Sequence, residues 1–478
     1  MRLTTYSRVV AILCVALSVT PYASAQDWRE LVGYNKLKSE VGASLENGAG
    51  IAVSLVEAGG KDKTFMPDTS IAEFTGKTIL NGTGSGGAIS GHATGVGQIM
   101  FGNNSSIAAG VTQITAYDAD DWVYTRAGVG TANNPLPNPF SVQNHSYIGT
   151  GDPVAKANET LARFDYMINR DGVTSVVAMN NGGANPLPQL MGQSYNSISV
   201  GLTNGQHSHG LTDLGTTGRI KPDIVAPAGA TSSSTPMVSS AAILLHQKAV
   251  NMNTPDARTT ETMKAIIMAG ATKSEFPSWD QGTNGSGVIT RPLDDTFGAG
   301  ELNVYNSYRI LEGGEFDGAT GGSQGGLIAL KGWDYGETIA VNNTKHWTFE
   351  IGPGQTLSEA SILLTWNAQY ADINNNFSNT LSLANMRLQL WDSTSSFMGN
   401  LLYTSDSPVD NVEHLYLQNL ASGKYTFGVT SDLSTDFGIA WNITAVPEPS
   451  SLAILGLAAS VGSIWLGRKR FSKKLKPI

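Results

Sequence analysis

Residues 221–236 decide the fold, and they read Lys221-Pro222-Asp223-Ile224-Val225-Ala226-Pro227-Ala228-Gly229-Ala230-Thr231-Ser232-Ser233-Ser234-Thr235-Pro236. A short apolar strand is followed closely by a predicted helix, Met237 to Val250, with Val238, Ala241, Ala242 and Leu245 on one face. Proline is tolerated in the first turn of a helix, because an N–H there has no acceptor within the helix. Ser232 is therefore predicted just before a helix, where backbone N–H groups and the helix dipole stabilise a developing negative charge.

Strands and helices alternate around this stretch. Residues 173–178 and 198–200 are short apolar strands, and Thr254-Pro255 opens a further predicted helix that runs through Met268. Strands that are buried on both faces and separated by helices are typical of a parallel sheet. The first part of the chain is therefore predicted to be an α/β domain.

The hydrophobic period changes to two after a glycine-rich stretch at residues 318–326. Apolar residues then alternate with polar ones, as at Trp347, Phe349 and Ile351, without a long helical pattern. This alternation is typical of an all-β sandwich. The predicted organisation is a signal peptide (1–25), the α/β domain (26–315), a Gly-rich linker (316–327), a β-sandwich domain (328–445) and a C-terminal segment (446–478).

Three further polar residues stand at predicted element boundaries. Glu57 ends a strand that begins at Ile51, His92 stands at the start of a helix, and Asn181 follows the strand at 173–178. Catalytic groups of parallel sheets gather at the carboxyl ends of the strands. The order along the chain is therefore a carboxylate, a histidine, an amide and a serine.

These segments resemble the subtilisin-like serine peptidases. The serine motif of that family, G-T-S-x-A-x-P before a helix, is matched by residues 230–236, and its histidine motif, H-G-T-x-V-A, by residues 92–97. The oxyanion asparagine of the family matches Asn181, and its substrate-binding segment matches residues 144–149. The resemblance covers about residues 27–312 and keeps the subtilisin order of the triad. It implies a three-layer subtilisin-like domain with serine endopeptidase activity.

The resemblance also implies a role for each residue. Ser232 would be the nucleophile that forms the acyl-enzyme, and His92 would be its general base and then its general acid. Asn181 would donate a hydrogen bond to the oxyanion. Glu57 would orient the imidazole of His92.

The substrate would be a protein or peptide. Ser146 and Gly149 would line the cleft that binds it as an added strand. No cofactor is implied. A structural Ca2+ ion is common in the family, but the sequence assigns no ligands to it.

Glu57 stands where the family has aspartate. Because glutamate is one methylene longer, its carboxylate would overshoot the imidazole unless the backbone or the rotamer compensates, and a misplacement of about 1 Å can cost a hundredfold. Asp62 and Asp68, on the following loop, are the alternative orienting residues. On these grounds Glu57→Asp is expected to keep or raise the activity of an active enzyme.

Ala93 and Ala230 stand where the family has glycine, which allows closer approach of the backbone. With Glu57, they leave a second hypothesis open, a catalytically inactive subtilisin-fold surface protein that binds peptide or extracellular matrix. The sedolisin peptidases also use glutamate, but at the position of His92. The retained His92 and Asn181 favour subtilisin-like chemistry.

The composition limits the class of protein. The chain has 478 residues, of which 41% are hydrophobic and 14% charged. This excludes a disordered chain, a coiled coil and a collagen. A net charge of -9 argues against a nucleic-acid partner.

His207 and His209 form an H-x-H pair in a polar loop and are predicted to be solvated rather than metal ligands.

The N-terminus has the pattern of a secretory signal. Arg2 and Arg8 flank an apolar run that is followed by the small-residue cleavage site 23–25. Cleavage by signal peptidase is therefore expected. Cys14, the only cysteine, lies inside this segment, so the mature protein should contain no disulfide.

The C-terminus has three parts, Val446-Pro447-Glu448-Pro449-Ser450, an apolar run at 452–467 and a basic tail at 468–476. These parts resemble, in the same order, the PEP-CTERM sorting signal of Gram-negative bacteria. The resemblance implies export, transient anchoring in the inner membrane through the apolar run, processing by an exosortase and delivery to the cell surface.

Overall fold

The computed structural model describes residues 27–448, apart from residues 85, 152, 284, 342, 374 and 375. The predicted signal peptide, the apolar run at 452–467 and the basic tail lie outside the described residues. Within the described part of the chain, no helix has the length and apolar character needed to cross a membrane.

The first part of the chain is built on a seven-stranded parallel sheet. Its strands and the short strands around them are β1 (Val53–Glu57), β2 (Thr64–Met66), β3 (Thr78–Asn81), β4 (Ala88–Ile89), β5 (Gln113–Asp118), β6 (Val142–His145), β7 (Thr174–Ala178), β8 (Ile198–Leu202), β9 (Gly210–Leu211), β10 (Ile220–Lys221) and β11 (Ile224–Ala226). The order in the sheet is β11-β8-β7-β6-β1-β5-β3, and all neighbours are parallel. The predicted α/β domain with a parallel sheet is confirmed.

The helices of this part are α1 (Trp28–Leu31), α2 (Tyr34–Val41), α3 (Gly91–Phe101), α4 (Ala119–Asp121), α5 (Val154–Asp171), α6 (Thr231–Met252), α7 (Thr260–Ala269) and α8 (Val304–Gly313). Two predicted helix starts were wrong. Helix α6 begins at Thr231, so Ser232 lies inside its first turn rather than before it. After Thr254-Pro255 only a short 3₁₀-helix forms, Asp256–Arg258, and α7 begins at Thr260, where the side chain of Thr259 caps it by accepting from the Thr262 N–H.

The second part of the chain is rich in antiparallel strands, as predicted. They are β12 (Gly282–Thr283), β13 (Val288–Arg291), β14 (Ala319–Thr320), β15 (Lys331–Ile339), β16 (Lys345–Ile351), β17 (Gln355–Thr365), β18 (Gln369–Ile373), β19 (Asn376–Ser382), β20 (Met386–Asp392), β21 (Asn400–Ser405), β22 (Val412–Leu417), β23 (Gly423–Ser431) and β24 (Thr435–Pro447). One sheet has the order β12-β13-β21-β20-β23-β16-β14 and the other β15-β24-β17-β22. Both contribute to one buried apolar cluster, in which Trp347, Phe427 and Trp441 touch.

The two parts of the chain are closely joined. Strand β13 pairs with β21 of the sandwich, although its residues fall within the predicted first domain. Strand β14, in the predicted linker, pairs with β16 at the edge of the same sheet. Trp333 and Leu363 of the second part belong to the same buried cluster as Ile266 of the first. The domain boundaries at 315 and 328 stay a prediction.

Candidate active site

Glu57 and His92 are in direct contact. Glu57 is the last residue of β1 and is buried, whereas the side chain of His92, the second residue of α3, is half-exposed. The distance from Glu57 Oε2 to His92 Nδ1 is 2.6 Å. The side chain of Ser90 caps α3 and so fixes the start of the helix that carries the imidazole. The longer glutamate thus reaches the histidine from the end of the strand.

The contact changes the acid–base properties of both groups. The hydrogen bond to Glu57 raises the pKa of His92, with partial burial acting in the opposite direction. Burial raises the pKa of Glu57, and its contact with His92 opposes that effect. Oε1 of Glu57 is buried without a hydrogen-bond partner among the described residues. The pair therefore holds the Nδ1 proton between the two groups and leaves Nε2 available for a reaction.

The alternative carboxylates do not take this place. Asp68 accepts hydrogen bonds from the backbone and the hydroxyl of Ser70. Asp62 is exposed. Neither has a contact with His92 in the described part of the chain.

Ser232 and Asn181 are brought together by the start of α6. The side-chain oxygen of Asn181 accepts from the backbone N–H of Thr231 at 2.9 Å and from its hydroxyl at 3.2 Å. Because a backbone N–H can only donate, the atom that it contacts must be the amide oxygen of Asn181. The Nδ2 group of Asn181 is therefore free to donate to a ligand beside Ser232.

The first turn of α6 offers a second donor. Ala230, the N-cap residue, has an extended backbone, and its carbonyl accepts from the N–H groups of Ser233 and Ser234. The N–H of Ser232 has no acceptor among the described residues. The side chain of Ser232 is partly exposed. Among the described residues, its hydroxyl forms no hydrogen bond with Nε2 of His92, and neither of these two groups bonds to any other. In serine enzymes this bond often tightens only when substrate is bound.

Thr231 contacts Asn181, and the sequence analysis did not single it out. It selects the orientation of the Asn181 amide through two hydrogen bonds. The signal was present, because Thr231 directly precedes Ser232 in the quoted motif.

Ser146 and Gly149 differ in what they present to the surface. Ser146 is buried, and its hydroxyl accepts from the side chain of Asn144 at 2.9 Å. Gly149 is partly exposed, and its carbonyl accepts from Leu190 N at 3.1 Å. Ile148, between them, is 46% exposed. A substrate would therefore meet Ile148 and the backbone of this segment rather than the Ser146 hydroxyl.

The prediction of solvated histidines was wrong for His207. This residue is fully buried, with Nδ1 accepting from Leu202 N and Nε2 2.9 Å from the Thr296 carbonyl. Both ring nitrogens are used, and only His209 is exposed. In the part of the chain that the structure describes, no three histidine, cysteine or acidic side chains are grouped so as to hold a metal ion.

Two family models match parts of the sequence. Residues 70–287 match the model of the subtilase family, and residues 445–470 match the PEP-CTERM protein-sorting motif. His92, Asn181 and Ser232 lie inside the first match, whereas Glu57 precedes it. Among curated proteins, none matches the sequence significantly.

The solved structures to which this chain is similar include the three proteases described here. The serine protease of Aeromonas sobria is 13% identical, with a TM-score of 0.38 over 83% of this chain and 89% of that chain. Fervidolysin from Fervidobacterium pennivorans, a keratinolytic enzyme related to subtilisin, is 13% identical, with a TM-score of 0.37 over 87% of this chain and 76% of that chain. The prenylagaramide maturation protease PagA is 16% identical, with a TM-score of 0.38 over 57% of this chain and 96% of that chain.

Proposed function

We propose that this protein is an exported serine endopeptidase whose catalytic residues are Glu57, His92, Asn181 and Ser232. The match of residues 70–287 to the subtilase family model supports the proposal. The observation that carries the proposal is the 2.6 Å contact between His92 Nδ1 and the buried Glu57 carboxylate. A histidine held in this way keeps Nε2 unprotonated and able to take a proton. No cofactor takes part in the proposed reaction.

The reaction proceeds through two acyl transfers. Ser232 Oγ attacks the substrate carbonyl carbon while its proton passes to Nε2 of His92. The resulting imidazolium is stabilised by Glu57. When the C–N bond breaks, the proton passes from Nε2 to the leaving amine, and a water molecule then attacks the acyl-enzyme in the same manner. The last step regenerates Ser232 and releases the acid.

The negative charge that develops on the substrate oxygen is placed near two donors, Asn181 Nδ2 and the N–H of Ser232. Both are free of acceptors among the described residues, so they lose no existing bond when the charge forms. The start of α6 adds the favourable field of its dipole.

Asn181→Ala should lower kcat by about 10²- to 10³-fold, because it removes one donor to the oxyanion. Asn181→Asp should lower kcat to a similar extent, since its carboxylate still accepts from Thr231 but has no N–H to donate. Steady-state hydrolysis of a peptide substrate measures both values. If Asn181→Asp kept wild-type kcat, the oxyanion role of Asn181 would be excluded.

The pH dependence of kcat/KM should have an acidic limb above pH 6.5, the ordinary pKa of histidine. Glu57 raises the pKa of His92 above that value, and protonated His92 cannot accept the proton of Ser232. Activity is therefore lost as the pH falls through this raised pKa. In Glu57→Gln the limb should move to lower pH, because the carboxylate charge is gone. If the acidic limb stayed at the same pH in Glu57→Gln, its assignment to a histidine whose pKa is raised by Glu57 would be contradicted.

Hydrolysis of an unfolded protein substrate tests the proposed function. The purified mature protein should cleave it, and Ser232→Ala should not. The inactive-protein hypothesis predicts that both proteins bind peptide and that neither cleaves it. A folded wild-type protein without hydrolytic activity towards varied unfolded substrates would favour that hypothesis.

The match to the sorting motif supports the proposed route of this protein. We propose removal of the N-terminal segment by signal peptidase, transient anchoring in the inner membrane, processing by an exosortase and delivery to the cell surface. The motif begins at residue 445, inside β24, and Glu448 N donates to the Gly354 carbonyl at 2.9 Å. The folded sandwich therefore extends to the first residues of the motif.

A further inference from the structure

Lys63 connects the segments that carry Glu57 and His92. Its ammonium nitrogen lies 2.6 Å from Oδ1 of Asp118, the last residue of β5. Its carbonyl oxygen accepts from the N–H groups of residues 87 and 88, at 3.1 Å each. Residue 88 begins β4, which runs into α3 only four residues before His92. One lysine thus contacts both a neighbour of the Glu57 strand and the segment that leads to the histidine.

Asp118 stands beside Glu57 in the sheet. The two residues are register partners at the carboxyl ends of β1 and β5. The Asp118 side chain is fully buried, and Oδ2 has no hydrogen-bond partner among the described residues. A Cβ atom at position 59 would collide with this oxygen, so a glycine is required there. The Asp118 carboxylate therefore packs against the backbone two residues after Glu57.

The backbone of Lys63 indicates that its side chain matters. Its φ angle is 51°, a left-handed conformation that costs a lysine energy and suits glycine or asparagine better. The turn that it closes is tight, with Thr64 N donating to the Gly59 carbonyl at 3.0 Å. A strained residue persists where its surroundings demand it. The residue in this turn is a lysine whose ammonium contacts the buried carboxylate of Asp118.

Removing the ammonium would leave two buried carboxylates side by side. The Asp118 carboxylate would then keep only the N–H of Asp121, from which Oδ1 accepts at 3.2 Å, and would stand beside the end of β1 without a cation to hold it. The connection from the end of β1 through Asp118 and Lys63 to the segment before α3 would then lose its side-chain link.

We propose that the Lys63–Asp118 ion pair positions the Glu57 carboxylate against His92. The proposal rests on the proposed function, since it assigns two positioning residues to that catalytic site. The pair fixes the end of β1 relative to the start of α3. Neither residue is placed against the substrate, so the pair acts only through Glu57 and His92.

The deciding variant removes both charges. Lys63→Met alone leaves Asp118 buried and unpaired, which can prevent folding. The double variant Lys63→Met/Asp118→Asn avoids that penalty, because replacement of both partners is close to neutral for stability. Lys61→Met is the matched control, since Lys61 is an exposed lysine of the same turn without an ion pair in the described residues.

Two measurements are made on each mature protein. With isotope-labelled histidine, NMR reports the Nδ1–H proton of His92 in its hydrogen bond to Glu57. Steady-state kinetics separates kcat from KM. We expect the folded double variant to shift or lose this resonance and to lose about tenfold or more in kcat, with KM within twofold. Lys61→Met should behave as the wild type in both.

A folded double variant with the wild-type resonance and the wild-type kcat would overturn the proposal, because the ion pair would then serve stability alone. The resonance does not require turnover. If the wild-type protein hydrolysed nothing, the proposed function would fail, while the Nδ1–H signal of the double variant would still decide whether Lys63 and Asp118 position the pair.

Discussion

Glu57→Asp should lose about a hundredfold in kcat/KM. In the structure the glutamate already places Oε2 2.6 Å from Nδ1 of His92. Removal of one methylene withdraws the carboxylate by about 1.5 Å, the length of a C–C bond. A displacement of this size typically costs about a hundredfold. The geometry thus reverses the expectation from family resemblance that aspartate would keep or raise the activity.

Glu57→Gln should lose more, about 10⁴-fold in kcat, because an amide in this place can stabilise the wrong imidazole tautomer. Asp62→Asn and Asp68→Asn serve as controls, since neither carboxylate contacts His92 within the described residues, and both should retain wild-type rates. Circular dichroism would verify that each variant is folded. An aspartate variant as active as the wild type would show that the shorter carboxylate also reaches His92 and would contradict the predicted dependence on the length of Glu57.

Residues 27–315 expressed alone should not fold. The first part of the chain buries Ile266 and Leu244 in a cluster that includes Trp333 and Leu363 of the second part. Helix α7 packs on β24 and β17, so closely that a Cβ at Gly438 would collide with the α7 backbone. Without residues 316–448 this apolar face would be open to water, and the stabilisation from its burial would be lost. Thermal unfolding should show a cooperative transition for the mature chain and none for the shortened chain.

Trp333→Ala tests the contact between the two parts of the chain with a single substitution. The indole is fully buried and donates to the Leu311 carbonyl at 3.1 Å, in the last turn of α8. Its removal should lower the free energy of unfolding by about 3–5 kcal/mol. Trp391→Ala is the control, since Trp391 is only partly buried and belongs to neither core cluster, and it should cost less. Independent unfolding of the two parts at separate temperatures would contradict a shared core.

Local patterns in the sequence predicted much of this molecule. The alternation of Trp347, Phe349 and Ile351 predicted β16, and the position of Glu57 at the end of an apolar run predicted a carboxylate at the carboxyl end of a strand. Helix starts were less accurate, because capping by Asn181 and Thr259 depends on side-chain contacts that no periodicity reveals.

Long-range contacts could not be predicted in the same way. Strand β13 pairs with β21 more than a hundred residues further along the chain, so local alternation gives no sign of the partner. His207 lies in a polar stretch, and its burial involves a contact with the Thr296 carbonyl, 89 residues further along the chain. The fit of Glu57 to His92 likewise depends on where β1 ends relative to α3.

Labelling with a fluorophosphonate probe tests the central claim most directly. The reagent reacts with a serine hydroxyl activated by a neighbouring base, and intact-mass analysis counts the adducts. We expect one adduct on the mature protein and on Ser233→Ala, the matched control in the same turn of α6, and none on Ser232→Ala. A folded wild-type protein that remains unlabelled, or labelling that persists in Ser232→Ala, would contradict the claim that Glu57, His92 and Ser232 form an active site.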